Sequence, residues 1–204
     1  MGVTVSVPLA SPALQYLRLR AEATKPRARL LTAHMAPAQL IWRPMPRTWS
    51  IGECLEHLVV TAAEFYQQMR PALARHPRSD GTPVSETWRP TLAGRLILRA
   101  LDPVARRRVR TPQVFAPSPV PRPALLESFL ASQDELVGMM READGLDLTR
   151  IRLHSPAGVC IRLHLGDAFE MLICHAERHL AQAERVAAEP SFPRGMRLSF
   201  TDSY

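Results

Sequence analysis

The chain has 204 residues and a mass of 22.8 kDa, enough for one large domain or two small ones. Its 46% hydrophobic and 22% charged residues are ordinary globular usage and exclude a disordered chain. No stretch approaches the ~18 uninterrupted apolar residues of a membrane span. Three cysteines, Cys54, Cys160 and Cys174, argue against a disulfide scaffold and for a reducing, cytoplasmic setting. The N-terminus has no basic start before an apolar core, so no signal peptide is expected. Lys+Arg is 26 against Asp+Glu 19, a net charge of +7. Lys25 is the sole lysine, and Arg, Ala and Pro are abundant together, which codon usage explains as well as an anionic partner does.

Proline divides the chain. The 19 prolines leave three long free windows, 47–70, 124–155 and 157–189. A proline inside a helix costs ~3 kcal/mol, so these windows are where long helices are expected. An earlier helix is expected between Ser11 and His34, on Leu14, Leu17, Leu30 and Leu31, kinked or split at Pro26. The first window opens on Ser50-Ile-Gly-Glu53, a capping box, and continues with apolar residues at helical spacing from Ile51 to Met69. Pro71 is expected to end that helix. The connection from Pro71 to Pro123 is long, irregular and rich in proline, broken by a short amphipathic helix near Thr91 to Leu101. The third long helix follows Pro123 and stops at Gly145. Alternation on either side of Ser155-Pro-Ala-Gly158 reads as a small hairpin or extended chain. The fourth long helix begins near Leu165 to Asp167 and ends before Pro190.

The expected architecture is all-α: a four-helix bundle with a long crossover connection between helices two and three and a small hairpin before helix four. One domain spans 1–204, with its core at about 11–189 and a tail at 190–204. The tail is expected to pack on the bundle or a partner subunit through Phe192, Met196, Leu198, Phe200 and Tyr204.

Seven histidines are present, and three have a spacing that suits a metal. His175 and His179 are four apart, so they project from one side of the fourth helix, at the border of its apolar stripe. His57 lies at the corresponding border of the second. Neutral imidazoles suit Zn, Ni, Fe or Cu, and a three-His site leaves positions open for water or substrate. The same spacing also arises without a metal, from histidines that are simply hydrogen-bonded at a helix boundary. The residue after His175 is Ala176, so the H-E-x-x-H of a zinc protease is not indicated.

The segment Trp42-Arg-Pro with Thr48-Trp-Ser-Ile-Gly-Glu-Cys-Leu-Glu-His-Leu58 resembles the second-helix entrance of the DinB-like superfamily of metalloenzymes. The run from His175 to Val186 resembles that family's last-helix signature, and Pro112-x-x-Phe-x-Pro117 fits its general pattern. The resemblance spans about Leu14 to Val186. It implies a four-helix bundle with a crossover connection, and His57, His175 and His179 as ligands of one divalent metal, Zn or Ni foremost. It also implies, as in characterised relatives, chemistry with a low-molecular-weight thiol such as mycothiol, bacillithiol or glutathione.

The expected activity is metal-dependent thiol S-transferase or isomerase chemistry on an electrophilic substrate. A metal-dependent hydrolase and a non-catalytic metal- or ligand-binding bundle are the alternatives. Glu53 and Gln182 are candidates to orient the ligands. Arg178 is a candidate to bind a carboxylate of the thiol or substrate. Cys54 falls within the apolar stripe, more a small hydrophobe than a ligand. His154 and His164 are placed near the mouth of the site, without a ligand role. The basic run Arg95, Arg99, Arg106, Arg107, Arg108 and Arg110 carries no nucleic-acid-binding signature, so it fits attraction of an anionic substrate or a solvated loop. A homodimer is expected.

Overall fold

The structure is a computed structural model that describes residues 7–76, 88–101, 111–118, 120 and 122–194. Six α-helices and one two-stranded sheet are found among these residues: α1 (Pro12–Thr32), α2 (Pro37–Ile41), α3 (Ile51–Ala74), α4 (Leu92–Leu101), α5 (Leu125–Ala143), β1 (Arg152–Ser155), β2 (Gly158–His164) and α6 (Leu165–Ala188). Among the described residues between α4 and α5 there is a 3-10 turn, Gln113–Phe115. The chain is thus mostly helical, with one small sheet.

The helix starts follow their chemistry. Ser50 accepts the Glu53 amide at 3.1 Å, and Glu53 accepts the Ser50 amide at 2.9 Å, the reciprocal pair of a capping box. Ser11 caps α1 through the Leu14 amide, and Asp144 reaches across to accept the Ala10 and Ser11 amides at 2.8 and 2.9 Å. Gly145 follows α5 with φ 91, the left-handed conformation that closes a helix and that glycine adopts without a steric penalty.

Pro26 does not split its helix, and Pro71 does not end its helix. α1 runs unbroken through Pro26, and α3 continues past Pro71 to Ala74. Both residues are exposed. On a solvent face the carbonyl that loses its amide partner is taken up by water, and the ring has room, so a long packed helix survives there. The short α2 was not expected. It follows a turn at His34, whose φ is 62.

α3 packs on α5 and α6, and α1 packs on the same two helices. The largest cluster of buried side chains includes Leu14, Leu17, Phe65, Met69, Leu136, Met140 and Phe169. β1 and β2 are antiparallel, with Leu153 opposite Leu163 and both turned inward. The hairpin feeds directly into α6, where Asp167, fully buried, accepts the His164 amide at 3.0 Å. The same carboxylate accepts the Thr91 hydroxyl at 2.8 Å, while that hydroxyl takes the Gly94 amide at the start of α4. Gly94 lies so close that a Cβ there would sit 2.7 Å from Asp167 Cγ. One buried carboxylate therefore holds the first turns of α4 and α6 together. Arg106 to Arg110 of the basic run, and the tail anchors Met196, Leu198, Phe200 and Tyr204, lie outside the described residues.

Candidate metal centre

His57 is placed by the second turn of α3 and His175 and His179 by the middle of α6, two helices that pack face to face. The three imidazoles meet. Their ring centroids are 4.7 Å apart for His57 and His175, 4.7 Å for His57 and His179, and 4.6 Å for His175 and His179. One nitrogen from each ring lies within 4.8 Å of the others, and all three residues are buried. His57 Nε2 is 2.9 Å from His175 Nε2. Two nitrogens bound tetrahedrally to one ion at 2.0–2.1 Å stand ~3.3 Å apart, so this pair is within a few tenths of an ångström of that spacing. The cluster is compatible with a divalent metal.

The electrostatics favour neutral rings. Burial lowers the proton affinity of His57, partly offset by its bond to the Phe115 carbonyl. It lowers His175 well below the usual imidazole range, with the neighbouring His179, His57 and Arg178 acting in the same direction. His179 is pushed down to about 3, by burial first and then by His57 and Arg178. An unprotonated imidazole has a free lone pair, which is what a metal ligand needs.

His57 Nδ1 is 2.6 Å from the Phe115 carbonyl oxygen, at the end of the 3-10 turn. A carbonyl only accepts, so Nδ1 carries the proton and Nε2 faces its partners as a lone pair. Trp49 lies against the cluster, its ring 4.7 Å from that of His57 and 5.4 Å from that of His179. His179 Nδ1 is buried and has no hydrogen-bond partner. Gln182, in the next turn, is near enough to favour the protonated His179 ring but completes no bond to Nδ1.

The carboxylates beside His57 are engaged elsewhere. Glu53 holds the Ser50 cap and takes Nε and Nη2 of Arg43 at 2.8 and 2.5 Å. Glu56 takes Nε and Nη2 of Arg122 at 2.9 and 2.7 Å. Glu53, a candidate to orient His57, thus makes its bonds to Ser50 and Arg43, and the partner found on His57 is a main-chain oxygen.

Arg178 is half-buried and close enough to lower the proton affinity of both α6 histidines. Cys54 is fully buried among Ile51, Ala183, Val186 and Phe192, and burial raises its thiol far above the ordinary range. It is not part of the cluster. His154 and His164 do not line the site. His154 is exposed in β1, and His164 starts α6, eleven residues and about 16 Å along the helix from His175. α4 docks on that same far end, so among the described residues of the long connection it is the 3-10 turn that reaches the cluster.

Trp49, Phe115, Arg43 and Arg122 were not identified as parts of the site from the sequence. Trp49 and Phe115 do lie in the Trp-Ser and Pro-x-x-Phe-x-Pro segments, but a main-chain contact has no side-chain signature. A sequence model of the DinB superfamily matches residues 20–183, most of the chain. No curated protein and no solved structure matches it. The chain belongs to the DinB superfamily.

Proposed function

From membership of the DinB superfamily and the convergence of three buried, neutral imidazoles, we propose that this protein is a metal-dependent enzyme acting with a low-molecular-weight thiol. The convergence of His57, His175 and His179 carries the reading. In it α1, α3, α5 and α6 form the family's four-helix bundle, and the chain between α3 and α5 is its crossover. The three histidines hold one divalent ion; imidazole donors suit Zn, Ni, Fe or Cu, and the family resemblance favours Zn or Ni.

The fit rests on the chemistry of the donor set. Three uncharged nitrogens leave the ion's charge uncompensated and positions open for an anionic sulfur. When bound, such an ion supplies the positive charge that keeps a thiol in its thiolate form at neutral pH. The chain's own groups do the rest. Phe115 fixes the His57 tautomer, Trp49 shields the His57 and His179 rings, and Arg178 offers a cation for a carboxylate on the thiol or on the electrophile. Hydrolysis is the weaker reading, because it needs a free general base. The two carboxylates flanking His57 are both ion-paired with arginines.

The test is elemental analysis of protein purified without chelator, followed by a thiol panel with an electrophile. We expect about one metal per chain, as one tetrahedral site holds, lost in His175→Ala, together with metal-dependent consumption of one thiol. Protein that takes up no metal overturns the site. Metal uptake with thiol binding but no turnover overturns the enzyme and leaves a binding module.

A further inference from the structure

α4 is held to the bundle by one side. Ala93, Ile97, Leu98 and Leu101 pack against the main core, and Gly94 lies against Asp167. At about 100° per residue these positions occupy one half of the helix. The other half carries Leu92, Arg95, Leu96 and Arg99, all exposed, with Leu92 at 68% and Leu96 at 59%. Two leucines and two arginines thus share one outward face within two turns. Among the described residues, none of Arg95, Arg99 and the preceding Arg89 has an ion-pair partner.

The charge of the chain is gathered along this part of the sequence. Residues 88–110 hold seven arginines against one acid, Asp102, a net +6 where the whole chain has +7. The rest is balanced to within one charge. The hairpin, whose β2 meets α4, adds exposed Arg152 and Arg162 and no acid. Codon usage raises arginine throughout a chain; it does not explain why acids offset it everywhere but here.

A basic surface by itself suits any polyanion, and the leucines decide between them. The phosphate surface of a nucleic acid offers nothing apolar for two exposed leucines to enter. Beneath the phosphates of a bilayer lie acyl chains, and arginine stems can run along the apolar layer while their guanidinium heads stay at the phosphates. We propose that the outward face of α4 is a docking surface for an anionic phospholipid bilayer. Leu92 and Leu96 sit at the boundary between headgroups and acyl chains, and Arg95 and Arg99 pair with lipid phosphates. With ten residues and a length of about 15 Å, α4 lies along the surface, and no helix among the described residues is long and apolar enough to cross a membrane. Asp167 and the core contacts of the inner side keep the helix formed and its leucines presented.

Co-sedimentation of the full chain with lipid vesicles tests this without reference to the metal. The chain should pellet with vesicles of phosphatidylcholine and phosphatidylglycerol in equal parts, and not with phosphatidylcholine alone. Arg95→Gln with Arg99→Gln should weaken binding about 30-fold, about fivefold for each arginine taken from the surface. Arg95→Lys with Arg99→Lys, which keeps the charge, should bind as the unchanged chain does. Leu92→Gln with Leu96→Gln should weaken binding at least about tenfold. These positions are exposed, so the melting temperature should hold in every variant. No pelleting, or equal pelleting with both kinds of vesicle, overturns the proposal. So does binding that ignores the leucine pair; if a duplex oligonucleotide is then bound as tightly, the face is a general polyanion surface.

Discussion

Within the cluster, the His57 ring is held by a group far from it in sequence. His57 is oriented by a main-chain oxygen from another part of the chain, while the carboxylates at positions 53 and 56 are each bound to an arginine. The buried rings also set a pH dependence. Native proton affinities lie below those of the unfolded chain, near 6.5, so below that pH the unfolded state binds more protons. The contribution to stability is therefore complete above about pH 6.5 and drains away as the pH falls toward the native values, that of His179 being about 3. Protons compete with a metal in the same direction. Thermal melting of chelated protein should show a falling midpoint from neutral pH to about pH 5, before most carboxylates titrate. A flat midpoint across that range would contradict the burial of three neutral imidazoles.

At the level of elements, the clearest dependence is on Asp167. It caps α6 and receives Thr91, which itself opens α4. Asp167→Ala removes the α6 cap and strands the Thr91 donors, with an expected loss of about 2–4 kcal/mol in urea denaturation. A loss within the scatter of surface substitutions would show that the two helices are joined by apolar contact alone. This junction was only half legible in the sequence. The window for α6 and its start near Asp167 were readable from proline spacing, and α4 from its periodicity. Their meeting through one carboxylate is a tertiary contact between positions 76 residues apart, which no local pattern encodes. The capping box of α3 was legible in full because both partners lie within four residues. A split at Pro26 and an end at Pro71 were expected for the opposite reason: a helix-breaking residue is judged by local cost, and tertiary packing of the rest of the helix outweighed it. The pair His175 and His179 was legible from its spacing within one helix. That His57 joins them followed from matching helix borders, and the rings do meet.

Across the whole molecule, the chain after α6 returns to the start of α3. Phe192 is buried with its ring 5.4 Å from that of Trp42, edge to face, and Gln39 donates to the Pro193 carbonyl at 2.7 Å. The expectation of a docked tail therefore holds for its first anchor, and the others lie outside the described residues. Phe192→Ala should cost about 3 kcal/mol, read as a lower midpoint of unfolding. An unchanged midpoint would make this contact incidental. The cluster that Phe192 completes contains Cys54 and Ala183, one turn from His57 and His179, so on the proposed reading loosening it should also weaken metal retention.

The bond between His57 and the Phe115 carbonyl has a further consequence for how this chain can vary. A main-chain oxygen is supplied by every residue type, so exchanging Phe115 for another apolar residue leaves the acceptor in place. What the bond cannot survive is a change of count. Inserting or deleting a single residue between Thr111 and Pro117 displaces the oxygen by a full residue step and frees the His57 ring to turn. The connection is thus tolerant of spelling and strict about length, and diversification of this loop is safest by substitution.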